Sequence, residues 1–314
     1  MIGERLAEAV PRSDNAKGRQ RLTIVVGIPS CGRREIISAV VPHLRRQSRK
    51  PDRVVICAPS ADDVDIAALS RLPFPVQWHK SERGLCKQRN AILAAAEDAD
   101  IILFLDDDFL LDQSYIERME RLFLKHPDVD IATGAVIADG ATGPGIAVEE
   151  GLELLKTAPS SGDELSIDDA YSGYGCNMAV RMSTVHICKL RFDEELPLYG
   201  WLEDVDFSRV ACRFGRVVTS PQLRGVHLGT KTGRMSGVRL GYSQIANPIY
   251  LVAKHSMSWR HALNQMGRNL GSNLVKVWRP EPWVDRKGRL EGNARAILDF
   301  LLRRLSPQNI RRMD

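Results

Sequence analysis

The sequence predicts an α/β fold, a mostly parallel central sheet with helices on both faces, followed by a basic helical C-terminal extension. Three observations carry this. Short β-branched runs alternate with helical periodicities three times between Leu22 and Leu105, and strands separated by helices of that length need crossover connections. The run Ile101 to Leu105 is apolar at every position, as in a strand covered on both faces, and it ends abruptly in Asp106, Asp107 and Asp108. Charge is also uneven: residues 259–314 hold 12 Lys/Arg against 5 Asp/Glu, a net +7, while the whole chain is only +5.

Taken in order, Leu22 to Ile28 reads as a strand that runs into Pro29-Ser30-Cys31-Gly32. Glu35 to Arg46 follows as a helix, because Ile36, Ile37, Val40, Val41 and Leu44 recur at helical spacing. Arg53 to Ala58 is the second strand and Asp63 to Leu72 a short helix. Pro75 to His79 is the third strand, Leu85 to Glu97 an alanine-rich helix, and Ile101 to Leu105 the buried strand. Asp112 to Lys125 then reads as helix, Val129 to Val136 as strand, Gly140 to Gly145 as a mobile loop and Cys176 to Arg181 as strand. Glu203 to Phe214 is helical again, Val217-Val218 a short strand, and Val226 to Gly229 opens a basic loop. Beyond Ser236 the pattern is helical, with Pro248, Pro280, Pro282 and Pro307 as punctuation.

At 314 residues, 44% hydrophobic and 26% charged, the chain is long enough for one large core plus a helical appendage. The first twenty residues carry no apolar run, so neither a signal-peptide core nor a membrane span is expected there. Six cysteines scattered without a CxxC pair fit a reduced, cytoplasmic protein and argue against structural zinc. The boundaries that follow are a flexible segment 1–20, an α/β domain 21–236 and a helical extension 237–314.

In an α/β sheet, ligands bind beyond the carboxyl ends of the strands, where Asp106 to Asp108 lie. Asp106 and Asp108 are two apart, so continued extended geometry would aim them to one side. Such a pair suits a hard divalent cation that takes its remaining ligands from substrate phosphates, and three adjacent carboxylates would otherwise repel one another. The bland alternative is an acidic turn ending a strand. Glu203, Asp204 and Asp206 have their own bland reading, as acids complementing the positive end of a helix.

The segment Ile101-Ile102-Leu103-Phe104-Leu105-Asp106-Asp107-Asp108 resembles the DxD region of family 2 glycosyltransferases with the GT-A fold. Gly84-Leu85-Cys86-Lys87-Gln88-Arg89-Asn90 is similar to their G-x-x-x-x-R-N helix, and Thr23 to Ser30 to their first strand and nucleotide-contacting turn. Gly200-Trp201-Leu202-Glu203-Asp204 resembles their acceptor-side ED motif. Order and spacing agree over about residues 20 to 230.

The resemblance implies a nucleotide-binding half at 21–110 and an acceptor half at 111–236. It places Pro29, Ser30, Arg33, Arg89, Asn90 and Asp107 around the nucleotide, and Asp106 at the ribose and a metal-bound water. Asp108 would ligate Mn²⁺ or Mg²⁺, with His227 as a third ligand. Lys231 and Arg234 would close over the diphosphate. Asp204 would be the general base of an inverting displacement, oriented by Glu203, and Tyr174, Gly175 and Trp201 would face the acceptor. Structural readings stand beside these: His227 as a strand-end histidine, Lys231 and Arg234 as a solvated loop, and the two aromatics as packing.

The activity implied is hexosyl transfer from a nucleotide-sugar, a UDP-sugar being favoured, to a saccharide or lipid-linked saccharide in polysaccharide or glycoconjugate synthesis. One departure concerns the base. Val55-Ile56-Cys57-Ala58-Pro59-Ser60 lacks the acidic residue that many members carry after the second strand, Asp62 and Asp63 following only later. Sugar-1-phosphate nucleotidyltransfer is an alternative, although the first loop lacks the Gly-rich basic pattern of that class. A non-catalytic sugar-nucleotide or glycan-binding protein is another, opposed by the intact acidic motifs.

The extension sets Trp259, Trp278 and Trp283 among basic residues. That mixture suits peripheral contact with the cytoplasmic face of a membrane, and equally a helical extension packed on the catalytic domain or on a second copy in a homodimer. No nucleic-acid module is present.

Overall fold

The computed structural model describes residues 21–159 and 161–313; the predicted flexible segment 1–20 lies outside them. Among the described residues the strands are β1 (Ile24–Pro29), β2 (Arg53–Ala58), β3 (Val76–Lys80), β4 (Ile101–Leu105), β5 (Phe109–Leu111), β6 (Val129–Asp139), β7 (Asp168–Asp169), β8 (Asn177–Arg181) and β9 (Arg216–His227). They form one sheet in the order β3-β2-β1-β4-β8-β6-β9-β5, with β7 on β9. The helices are α1 (Arg34–Val40), α2 (Ile66–Leu69), α3 (Leu85–Ala95), α4 (Tyr115–Lys125), α5 (Val148–Thr157), α6 (Met182–Cys188), α7 (Glu203–Ala211), α8 (Gly237–Ala253), α9 (Trp259–Lys276) and α10 (Arg286–Leu301).

The predicted alternation holds through β4. Strands β3, β2, β1 and β4 are mutually parallel, because each is joined to the next by a helical crossover. Successive residues of β1 point to opposite faces. Ile24, Val26 and Ile28 enter a core with α1 and α4, whereas Val25 enters a second core with α3, α6 and α7. Beyond β4 the sheet is mixed, since β8 runs antiparallel to both β4 and β6.

Three differences from the sequence expectations bear on the site. The short strand expected at Val217-Val218 is twelve residues long, and three-residue β5 pairs antiparallel with its end. Helix α5 was not anticipated. The loop 140–145, expected to be mobile, is pinned: Gly140 N donates to His227 O at 2.8 Å and Ile146 N to Leu228 O at 2.8 Å. A Cβ on Gly229, which has φ +66°, would lie 2.1 Å from Gly140, so this close approach requires glycine.

The extension is not a detached tail. Leu251 of α8 and Ala262 of α9 sit in the same core as Val25 and Phe104, and α10 packs on α8 through Tyr242, Ala246 and Ala296. Pro248 is not punctuation but lies inside α8. No helix among the described residues is long and apolar enough to cross a membrane.

Candidate active site

The carboxyl end of β4 does not simply continue. Phe109 N donates to Asp106 O at 3.2 Å, so Asp106, Asp107 and Asp108 form a tight turn that leads into β5. This turn, rather than the extended geometry expected from sequence, brings Asp106 and Asp108 together. Because β5 pairs with β9 in the register Phe109↔His227, it also delivers His227 to the same spot from 119 positions along the chain. One ligand atom each from Asp106, Asp108 and His227 all lie within 4.8 Å of one another.

His227 Nε2 is 3.3 Å from Asp108 Oδ1 and 3.8 Å from Asp106 Oδ2. Its Nδ1 is 2.8 Å from Asp139 Oδ1, and a proton donated there leaves Nε2 free to face the two carboxylates. Burial opposes a charged imidazole, but the hydrogen bonds and charges of Asp108 and Asp139 prevail and push the His227 pKa up to about 10. Asp108 is itself buried. Desolvation raises its pKa, yet His227, Arg33 and the Thr230 amide outweigh that and hold it below the ordinary carboxylate range. Thr230 N donates to Asp108 Oδ2 at 2.7 Å, while among the described residues Asp108 Oδ1 has nothing nearer than His227 Nε2 at 3.3 Å. A buried carboxylate oxygen facing an imidazole and a second carboxylate is a donor set that fits a divalent cation.

Asp107 turns the other way. It is 4% exposed and accepts from Ser30 Oγ at 2.7 Å and from Arg33 Nη1 at 2.8 Å. Gln88 Nε2 donates to Ser30 O at 2.6 Å and to Cys57 O at 2.9 Å, which fixes the ends of β1 and β2. Pro29, Ser30 and Asp107, expected at the nucleotide, are buried and joined to one another's strand ends by these hydrogen bonds. Arg33 keeps part of its surface open. Its Nε donates to Thr232 O at 2.9 Å, tethering the loop after β9.

Arg89 and Asn90 are held by protein groups. Arg89 is 1% exposed: Nη1 pairs with Glu203, Nη2 donates to Gly175 O at 2.8 Å and lies 3.4 Å from Asp106 Oδ1, and the guanidinium lies 5.3 Å from the Phe192 ring centre. Asn90 exchanges hydrogen bonds with the backbone of Phe192 and also donates to Glu194. Both are buried on α3 and tie it to the segments around Gly175, Phe192 and Glu203. A Cβ at Gly175 would come 2.9 Å from that guanidinium, so a side chain here would have to displace it.

Beside the aspartate turn, α7 opens with Glu203 and Asp204. Burial raises the Glu203 pKa, with Asp204 adding to the effect and Arg89 opposing it. Asp204 accepts from Gly175 N at 3.0 Å and Val205 N at 2.8 Å. Burial raises its pKa too, partly offset by the Gly175 amide and Arg89. Asp206 is not part of this cluster, since it takes a hydrogen bond from Lys254 Nζ at 2.6 Å.

Tyr174 borders the metal-ligand group. Its hydroxyl donates to Asp139 at 3.0 Å and its ring stands edge-on to His227. Trp201 packs against the second core. Lys231 Nζ donates to Gly140 O at 2.9 Å, and Arg234 donates to the carbonyls of Gly229 and Thr230; both brace the loop that follows β9. Two residues were not anticipated. Asp139, the partner of His227 and Tyr174, lies in a stretch that reads as loop. Tyr199 is 56% exposed beside Asp106, Glu203 and Asp204, and an aromatic immediately before the Gly200-Trp201 pair was the available signal.

A family model described as "Glycosyl transferase family 2" matches residues 25–182. Among curated proteins none matches the chain. Several solved structures share the fold. The S. aureus TarS segment 1–349 in complex with UDP-GlcNAc has a TM-score of 0.57 at 13% identity, over 92% of this chain and 82% of that one. The chain covers 40% of the longer S. aureus TarS structure. GalNAc-T7 with UDP, GalNAc and Mn²⁺ has a TM-score of 0.55 at 12% identity, over 90% of this chain and 57% of that one. The mannosyltransferase PcManGT from Pyrobaculum calidifontis in complex with GDP-Man and Mn²⁺ has 0.53 at 13%, over 92% and 85%.

Proposed function

Because the chain belongs to glycosyl transferase family 2, we propose that it transfers a hexosyl group, with inversion, from a nucleoside-diphosphate sugar to a hydroxyl of a saccharide or lipid-linked saccharide, in polysaccharide or glycoconjugate synthesis. The observation that carries this reading is the convergence of Asp106, Asp108 and His227, whose ligand atoms lie within 4.8 Å of one another, with the Asp108 carboxylate buried among them. Mn²⁺ or Mg²⁺ held by Asp106, Asp108 and His227 would neutralise the charge gathering on the departing diphosphate.

Asp204 carries out the other half. As the acceptor oxygen bonds to the anomeric carbon, the bond from that carbon to the diphosphate breaks. The electron pair leaves with the nucleoside diphosphate, and the hydroxyl proton passes to the Asp204 carboxylate. Glu203, locked to Arg89, positions Asp204, and the exposed faces of Tyr174 and Tyr199 offer stacking surface to a pyranose. Arg33, Lys231 and Arg234 place positive charge where the diphosphate would lie. A uridine donor is favoured. The domain limits 21–236 and 237–314 belong to this proposal.

The test is a panel of UDP-, GDP- and TDP-sugars with Mn²⁺, followed by release of nucleoside diphosphate and, with acceptor, by the anomeric configuration of the product. We expect slow hydrolysis of one donor, ended by EDTA, and an inverted product. Pyrophosphate release from a nucleoside triphosphate and a sugar phosphate would instead assign nucleotidyl transfer. Thermal stabilisation by a donor that is never consumed would assign a binding protein.

A further inference from the structure

Helices α9 and α10 lie side by side and run in opposite directions, since Arg286 at the start of α10 reaches Ser272 and Asn273 near the end of α9, and Asn273 meets Asn293 midway. Beside that seam each helix carries an apolar stripe that covers nothing. On α9, Leu263, Gly267, Leu270 and Leu274 recur at three- and four-residue spacing, so they share one face, and Trp278 follows in the turn after the helix. Leu263 is 60% exposed and Trp278 87%, and a side chain added at Gly267 or Gly271 would meet no atom. On α10, Leu290, Ala294, Ile297 and Leu301 recur in the same way, and Leu301 is 71% exposed.

The charge around these stripes has one sign. Glu281 is paired with Lys276 and Arg286, Glu291 with Arg295, and Asp299 with Arg304, while Asp285 caps α10 through the Gly288 amide. Exposed Arg260, Arg268, Arg279, Lys287 and Arg303 have no ion pair among the described residues. The surface therefore offers apolar side chains, a nearly free tryptophan and uncompensated positive charge together.

We propose that the α9–α10 face is a docking surface for an anionic lipid bilayer, with Leu274, Trp278 and Leu301 entering the interface and the unpaired arginines meeting lipid phosphates. Charge selects this occupant over a second copy of the chain, because two such faces would set arginine against arginine. The apolar stripes select it over a nucleic acid, whose backbone would leave them in water. The surface lies outside the transfer site, so it stands or falls independently of the reaction assigned there.

The full chain is to be sedimented with vesicles of phosphatidylcholine alone and of phosphatidylcholine mixed with phosphatidylglycerol. Binding to the anionic vesicles should exceed binding to the neutral ones by about tenfold or more, fall as salt rises, and shift tryptophan emission to the blue. Leu274→Ser with Trp278→Ser, and separately Arg268→Glu with Arg279→Glu, should each weaken binding by about tenfold without lowering the melting temperature, since these side chains are exposed. Equal partition of wild type and both variants overturns the proposal, as does indifference to anionic vesicles. A dimer that the serine variant dissociates, with vesicles ignored, would give the face to a second copy instead.

Discussion

Asp106, Asp108 and His227, and beside them Glu203, Asp204 and Arg89, pose the same problem of carboxylates crowded into a poorly solvated space. They solve it differently. In the second group the Arg89 guanidinium is buried against Glu203, reaching Asp106 Oδ1 at 3.4 Å with its other arm, and backbone amides fill both oxygens of Asp204. In the first group Asp108 has the Thr230 amide and the more distant Arg33 on Oδ2, and on Oδ1 only the His227 imidazole, 3.3 Å away. Their proton affinities move apart accordingly, Asp108 downward and Glu203 and Asp204 upward. Two carboxylate sets pushed in opposite directions by their surroundings divide the labour, one suited to hold a metal ion and the other to take up a proton.

The largest effect should come from removing the buried acid of the first group. Asp108→Ala is expected to lower Mn²⁺-supported turnover by about 10³-fold, the scale of losing one main electrostatic contact to a leaving group. The metal-free melting temperature should fall, since the Thr230 amide and His227 lose a buried partner, while the further stabilisation that Mn²⁺ gives the wild type should disappear in a thermal shift assay. Retained Mn²⁺ stabilisation in this variant would place the cation elsewhere.

The second cluster should respond in the complementary way. Asp204→Asn is expected to cost about 10²-fold in turnover, as for loss of a general base, while Mn²⁺ stabilisation stays intact. Its pH signature has a defined sign. The base works when ionised and its pKa is raised, so wild-type activity should decline on acidification at a pH above the value of about 4 typical of an exposed aspartate. In the asparagine variant that acid limb should be absent. A variant that loses activity together with Mn²⁺ binding would merge the two clusters into one.

How much of this was legible in the sequence depended on how local each feature is. The β-α alternation from β1 to β4 was visible because periodicity and turn residues lie within a few positions of one another. The three-residue β5 and the twelve-residue β9 were not, because their pairing with distant strands defines them. The acidic motifs were found as residues, but the feature that joins Asp106 to Asp108 is a turn, and the feature that adds His227 is a strand register. The surroundings of Arg89 were hidden for a related reason: the motif marks the residue, but the Glu203 carboxylate that pairs with it is 114 positions away.

Asp139 is the sharpest case of a residue hidden in this way, and it supplies the smallest of these effects. Its carboxylate fixes the His227 ring through Nδ1 and receives the Tyr174 hydroxyl, but it offers nothing to a cation directly. Asp139→Asn keeps the shape and one acceptor oxygen while removing the charge that makes His227 a stronger ligand. Outer partners of metal-bound histidines typically alter affinity by about tenfold or somewhat more. The Mn²⁺ concentration for half-maximal activity should therefore rise by about that factor, with turnover at saturating Mn²⁺ almost unchanged. A variant with unaltered Mn²⁺ requirement and reduced turnover would move Asp139 out of support for the metal site and into contact with the substrate, and would end the division between a metal-holding and a proton-taking set of carboxylates.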